Sequence, residues 1–207
     1  MIEEQVHTKT RLLDAAEKLF GQNGFDATSL RDITTEAQVN LAAVNYHFQS
    51  KDSLIDAVIG RRLEPVNRGR IQMLDAAGPS PTLEQILQAF LAPILEQEIW
   101  PAVPLIGRVL SNPDQFLERV FKKHLAAVAK RFGDAIAQAL PGLPAVEVAW
   151  RLHFMAGSMS HVLVRSQVLP AMSGGLCQPQ DREALMARLV TFLSAGFRAP
   201  ATRLEGN

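Results

Sequence analysis

Residues 29–53 constrain the fold more tightly than any other stretch of this chain. Ser29, Asn40 and Ser50 each stand where a side-chain oxygen can cap a helix, and all three fall within 25 residues. Helix starts this close together can share a core only as a compact helical corner. Ser29 has Asp32 at the third helical position, a near relative of the capping box, and Leu30, Ile33 and Ala37 share one face. Asn40 opens a helix of about seven residues, anchored by Val39, Val44 and Phe48. Ser50 caps a much longer helix that begins with Leu54, Val58 and Leu63 on one side. Upstream, Leu12, Ala16, Leu19 and Phe20 recur at helical spacing between Thr8 and Asn23, and Gly24 suits the left-handed cap that closes the helix.

Helical signals continue to the end of the chain. Asp75 to Thr82 is a breaker-rich loop, after which Thr82 caps a helix with Gln85 at its third position. Trp100-Pro101 and Pro104 interrupt the pattern. Asn112-Pro113 opens a helix running to about Leu140, and Pro144 opens another running to about Leu169. Pro170 to Gln180 reads as a loop, and Asp181 to Arg198 as a last amphipathic helix. No alternating strand pattern competes. The expected fold is all-α with about nine helices: a small N-terminal three-helix domain over residues 1–50 and a larger helical domain over residues 51–207.

Composition excludes several classes. An apolar fraction of 47% with 20% charged residues is that of an ordinary soluble globule, and the longest strongly apolar charge-free stretch, Leu152 to Val164, is too short to span a bilayer. No membrane partner is expected. The acidic start, Met1-Ile2-Glu3-Glu4-Gln5, does not read as a signal peptide, and a single cysteine, Cys177, allows no internal disulfide. Both point to the cytoplasm. Net charge is zero, and residues 1–62 carry Lys9, Arg11, Lys18, Arg31, Lys51, Arg61 and Arg62 against nine carboxylates. Nucleic-acid binding would therefore have to come from the placement of a few cations and helix N-termini.

The corner offers such placement. Once Val39, Val44 and Phe48 are assigned to the core, with Ala42 and Ala43 keeping the helix slim, Asn40, Leu41, Asn45, Tyr46 and His47 remain outward on the middle helix. Asparagine can contact adenine through two hydrogen bonds, and Leu or Ala can touch a thymine methyl. Tyr46 and His47 suit phosphate, as do Ser29 and Arg31 at one helix start and Lys51 at another.

The run Phe25…Ser29-Leu30-Arg31-Asp32-Ile33…Ala37…Val39…Val44…Tyr46-His47-Phe48…Ser50-Lys51…Leu54 resembles the DNA-binding domain of the TetR family of one-component repressors. The likeness covers residues 8 to about 56, and its Tyr-His-Phe-x-x-Lys element is specific. It implies that Ser29, Arg31, Asn40, Leu41, Ala42, Asn45, Tyr46, His47 and Lys51 face DNA. It also implies a homodimer on a double-stranded, palindromic operator, released by a small effector. Gln38 stands where the family usually has a turn glycine, at a cost of roughly 1 kcal/mol if the turn stays left-handed. Thr34 replaces a small alanine, and Asn45 a common tyrosine. The stretch Asn40 to Phe48, with Leu63-Glu64-Pro65-Val66-Asn67 and His153-Phe154-Met155-Ala156-Gly157, is similar to a PsrA-like subset, some members of which answer to fatty-acyl ligands.

The resemblance places dimerisation on the last two helices and an effector pocket among the middle ones. Gly157, Ser160, Val164 and Val168 form one candidate seam, and Leu185, Leu189, Phe192 and Gly196 another. For the effector, Phe90, Ile94, Trp100, Val103, Phe121, Trp150 and Phe154 supply apolar surface, with Arg108, His124 and His153 as polar contacts. Such a site suits a small, mostly apolar ligand, acyl or aromatic. No catalytic residue, cofactor or metal is expected. His153 and His161 lie about 12 Å apart along one helix with Gly157 between them, and no nucleophile elbow or phosphate loop occurs. The alternative is a helical small-molecule-binding protein or enzyme that does not bind DNA. An adaptor whose seam binds a different chain is a third.

Overall fold

A computed structural model describes residues 2–95 and 102–202, without the side chains of residues 2–5. The described residues are helical without strands: α1 (Ile2–Asn23), α2 (Leu30–Glu36), α3 (Leu41–Phe48), α4 (Lys51–Ala76), α5 (Leu83–Leu95), α6 (Val103–Leu110), α7 (Asp114–Val120), α8 (Ala126–Ala139), α9 (Ala145–Arg165), α10 (Leu169–Met172) and α11 (Arg182–Arg198). A π turn, Phe121–Leu125, joins α7 to α8, and a 3-10 turn, Ser166–Val168, joins α9 to α10. Counting those as continuous runs, the described residues form nine helical rods, as the sequence pattern predicts. None is long and apolar enough to cross a membrane. The differences from expectation are local. α1 starts at Ile2, and Pro104 lies in the first turn of α6, where its missing N–H costs nothing. Part of the loop expected after Leu169 is helical.

Two compact units result, the first comprising the residues up to Pro65 and from 102 to His124, the second Val66 to Leu95 and Leu125 to 202. They cut through α4 at Pro65, whereas the division drawn from the sequence at residue 50 separates the recognition corner from everything after it.

In the first unit the expected anchors meet. Leu12, Ala16, Phe20, Ile33, Ala37, Val44, Phe48, Leu54 and Val58 form one buried cluster, which Leu105 of α6 and Val120 of α7 complete. Phe20 is fully buried, and truncating such a residue to alanine costs about 3–5 kcal/mol. Gly24, at φ +87°, takes the left-handed cap and donates its N–H to the Phe20 carbonyl at 2.9 Å. Phe25 then folds back between the rings of Phe20 and Phe116, 5.2 Å from each. Thr28 is fully buried, its hydroxyl donating to the Gly24 carbonyl at 2.8 Å, which fixes the chain's entry into α2.

The second unit is built on α5, whose residues Leu83 to Leu95 are buried on almost every side between α8 and α11. Thr82 and Gln85 cap it reciprocally: the Thr82 N–H donates to Gln85 Oε1 at 2.8 Å, and the Gln85 N–H to Thr82 Oγ1 at 3.3 Å. Arg151 of α9 is buried and closes the far end of α11. It donates to the carbonyls of Gly196, Phe197, Ala199 and Pro200 and pairs with Glu147 at 2.8 Å. Gly196 and Phe197 lie in the last turn of α11, where carbonyls run out of intrahelical donors, and Ala199 and Pro200 follow the helix, so one guanidinium does the work of a C-cap and pins the chain beyond it.

Candidate nucleic-acid interface

The corner is held by local chemistry. Ser29 caps α2 with a complete capping box: its hydroxyl accepts the Asp32 N–H at 3.1 Å, while Asp32 Oδ2 accepts the Ser29 N–H at 2.9 Å and the Ser29 hydroxyl at 2.7 Å. These donors hold the Asp32 carboxyl below its ordinary pKa, the hydroxyl contributing most. The α2–α3 turn is left-handed at Gln38, φ 52°, as a glycine would make it. Arg11 of α1 braces that turn by donating to the Gln38 carbonyl at 3.0 Å. Thr34, at the close approach of the two helices, is buried and returns its hydroxyl to the Arg31 carbonyl at 3.0 Å.

On α3 the core takes Val44 and Phe48, and Asn40, Leu41, Ala42, Asn45 and Tyr46 are exposed. Tyr46 is 68% exposed, a large aromatic with no role in the intrachain core. His47 is half-buried, its ring edge-on to Tyr46 at 5.0 Å. The two asparagines differ. Asn40 Oδ1 accepts the Ala43 N–H at 3.0 Å as the cap of α3, so only its amide N–H groups face outward. Asn45 keeps both ends of its carboxamide without an intrachain partner, which two-point recognition of adenine requires. Lys51 opens α4 behind the Ser50 cap, whose hydroxyl accepts the Ser53 N–H at 3.1 Å.

Cation placement answers the charge objection raised by composition. Lys18 pairs with Glu36, Arg61 with Asp14 and Arg62 with Glu17, while Arg11 is spent on Gln38 and Lys9 lies 5.9 Å from the Phe48 ring centroid. Of the seven cations in residues 1–62, only Arg31 and Lys51 make no such contact among the described residues. Both stand at helix starts beside α3.

The effector candidates divide between the two units: Val103, Arg108, Phe121 and His124 belong to the first, and Phe90, Ile94, Trp150, His153 and Phe154 to the second. Trp100 lies outside the described residues. Phe90 and Ile94 are buried in α5, consistent with core. Arg108 is exposed, and its Nη2 donates to the Gln22 carbonyl at 2.7 Å: α6 packs on α1 in the first unit, and this arginine caps α1. Val103 is half-buried on the same helix, and Phe121 is exposed at the start of the π turn. His124 sits over Gly60 of α4, so close that a Cβ there would come within 3.1 Å of its ring. Burial above all lowers the His124 pKa, against the pull of Asp56 and Glu64. Trp150 and Phe154 are 56% and 58% exposed, and His153 between them is exposed too. Those three lie on an open face of α9 rather than in a pocket wall, because Val148, Arg151 and Met155 turn the other way into the core.

That face bears on the seams. Gly157 and Val168 are exposed and Ser160 and Val164 half-buried; on α11 Phe192, 68% exposed, and Gly196 point outward. Leu185 is half-buried, and Leu189 is buried within the chain, so the outward row of α11 runs through Phe192 and Gly196 instead. A Cβ on Gly157 or Gly196 would meet nothing within 4 Å, so intrachain packing does not require glycine at either place. Sequence reasoning missed Thr28, the clamp role of Arg151, and Arg70. The last had a signal, since it falls at helical spacing between two apolar residues, Val66 and Leu74, on the buried side of α4.

Among the described residues no group of three or more His, Cys, Asp or Glu could hold a metal. Residues 12–58 match the family described as bacterial regulatory proteins, tetR family, and residues 88–196 match the tetracyclin repressor-like C-terminal domain. A probable transcriptional regulator of Bacillus subtilis, YttP, is 32% identical over 84 residues, 41% of each chain. A transcriptional repressor of Mycobacterium tuberculosis is 29% identical over 68% of this chain and 70% of its own length. The nicotine-responsive repressor HdnoR of Paenarthrobacter nicotinovorans is 28% identical over 64% of this chain and 74% of its own. Among solved structures, Salmonella enterica GusR superposes with a TM-score of 0.67 at 18% identity, covering 93% of this chain and 96% of its own, which shows a shared fold.

Proposed function

The chain belongs to the tetR family of bacterial regulatory proteins, and on that premise we propose that it is a cytoplasmic homodimeric repressor that grips a palindromic operator and releases it when a small, mostly apolar effector binds. Residues 1–50, joined by Lys51 at the start of α4, hold the DNA, and the rest of residues 51–207 binds effector and partner. One observation carries the reading: α3 exposes Asn45 and Tyr46, and the helices before and after it open with Arg31 and Lys51, whose side chains make no ion pair or hydrogen bond among the described residues. Asn45, Leu41 and Ala42 read base edges. Asn40 contributes a donor only, and Tyr46, His47, Ser29, Arg31 and Lys51 seat phosphates.

Two copies are needed because one eight-residue recognition helix reads too few base pairs. The second copy covers the open face of α9 and α11: Val146, Trp150, Phe154, Gly157, Phe192 and Gly196. Release is a population shift. α4 runs unbroken from Lys51 to Ala76, with Pro65 inside it, so its far half belongs to the effector-binding part while its first turn holds phosphate. An effector that favours a different setting of α4 changes the spacing of the two recognition helices and loosens both. The PsrA-like likeness of Asn40 to Phe48 supports an acyl effector.

The test is a gel shift on DNA flanking the protein's own gene at two salt concentrations. Tyr46→Ala and Lys51→Ala are expected to lose operator binding while keeping wild-type melting temperature and dimer mass. Unchanged operator affinity in both variants would sink the reading.

A further inference from the structure

The described residues bury two arginines, and only one of them has an anion. Arg151 has Glu147 and four carbonyls. Arg70, 2% exposed, has no carboxylate within ion-pairing distance among the described residues. Its Nε donates to the Phe90 carbonyl at 2.8 Å, and its guanidinium carbon stands 4.0 Å from the Phe90 ring centroid. Gly69 lets this happen: a Cβ there would come within 3.3 Å of Pro93, so α4 runs hard against α5 and delivers the next side chain into the interior.

The far edge of the guanidinium is poorly satisfied. Nη1 reaches Asn67 Oδ1 at a long 3.3 Å, and Nη2 has only the Met159 thioether at 3.4 Å, a weak and neutral acceptor. Burial pushes the Arg70 pKa down to about 10, which still leaves it a cation at neutral pH. A buried cation with no counter-charge is a costly feature that an apolar side chain of the same volume would avoid.

We propose that the Nη1–Nη2 edge of Arg70 is the seat for the anionic head of the effector, and that the effector is a monocarboxylate with an apolar body. This rests on the ligand-responsive regulator reading and names the chemistry of its ligand. The Phe90 carbonyl and ring hold the guanidinium in place through Nε and the π face, leaving the two terminal nitrogens parallel for end-on, two-point binding of a carboxylate. The carboxylate displaces the thioether of Met159, whose unbranched side chain repacks readily, and the apolar body lies among Phe90, Phe132 and Met159. One buried positive charge matches a monoanion; a phosphate dianion would leave a net negative charge in the same interior.

The experiment compares full-length wild type with Arg70→Met, by calorimetric titration and thermal melting. The probes are octanoate, decanoate, dodecanoate and 4-phenylbutyrate, each beside its neutral methyl ester. Wild type is expected to bind at least one acid about tenfold or more tightly than its ester. Arg70→Met is expected to melt no lower than wild type, to bind the ester as wild type does and to lose the preference for the acid. Equal affinity of wild type for every acid and ester, no binding of any acid, or tight acid binding by Arg70→Met overturns the assignment, as does a melting temperature well below wild type, which would mark the arginine as structural. Arg70→Lys keeps the charge without the fork and is expected to retain part of the preference. The regulator reading is scored separately, by gel shift of the unliganded protein, which does not involve Arg70.

Discussion

Gln38 and Gln49 are the two non-glycine residues with left-handed backbone among those described, at φ 52° and 65°. A Cβ in that region costs about 1–2 kcal/mol, and a glycine there gives back roughly 0.5–1 kcal/mol through the entropy of the unfolded chain. Gln38→Gly is therefore expected to raise stability by about 0.5–1 kcal/mol in thermal unfolding. The brace from Arg11 survives because it goes to the backbone carbonyl. A destabilised Gln38→Gly would show that the glutamine side chain, rather than the turn, is what matters. The same residue-by-residue view separates the two asparagines of the recognition helix. Both look alike in the sequence, yet only Asn45 has a whole carboxamide to offer.

Elements are joined by a few charged contacts whose pH dependence differs from that of the core. Glu84 at the start of α5 accepts from Arg198 at the end of α11, Nη2 to Oε2 at 3.0 Å. That hydrogen bond above all lowers the Glu84 pKa from 4.5 to about 2. Because the folded pKa is depressed, the pair contributes stability that is fully present above 4.5 and is lost as pH falls toward 2. Both side chains are 40% exposed or more, so screening limits the contribution to about 1 kcal/mol or less. Melting curves of wild type and Glu84→Gln should differ at pH 6 and converge as the pH falls toward 2. A constant gap across that range would remove the pair from the account. By contrast, Arg151 closes α11 with main-chain acceptors from inside the unit.

At the scale of the molecule, zero net charge sets the character of DNA binding. On the proposed reading, few cations release counterions, so non-specific affinity is expected to be weak and discrimination to fall on Asn45, Leu41 and dimer spacing. In the proposed dimer, a second copy covers the open aromatic row of α9 and α11. A charge there should be disruptive, because it would have to be buried against another apolar surface. The double variant Phe154→Lys with Phe192→Lys is expected to run as a monomer in light scattering, to keep its helical circular dichroism and to lose most operator affinity. A dimer of unchanged mass would move the interface elsewhere.

Sequence alone settled the features whose causes lie within a few residues of each other. The caps at Ser29, Asn40, Ser50 and Thr82, the glycine stop at Gly24 and the core faces of α1 to α4 depend on i, i+3 and i, i+4 relations, and these are written in order along the chain. The tertiary structure decided which side of an amphipathic helix is covered and by what, since that depends on neighbours scores of residues away. Trp150, His153 and Phe154 look like pocket lining until α9 is seen to turn Arg151 and Met155 inward. Arg108 looks like a ligand contact until it is found on the carbonyls that end α1. Arg70 is a surface cation by residue type; its spacing from Val66 and Leu74 puts it on the buried side of α4, and the packing of α4 on α5 is what sets its guanidinium on the Phe90 carbonyl and ring.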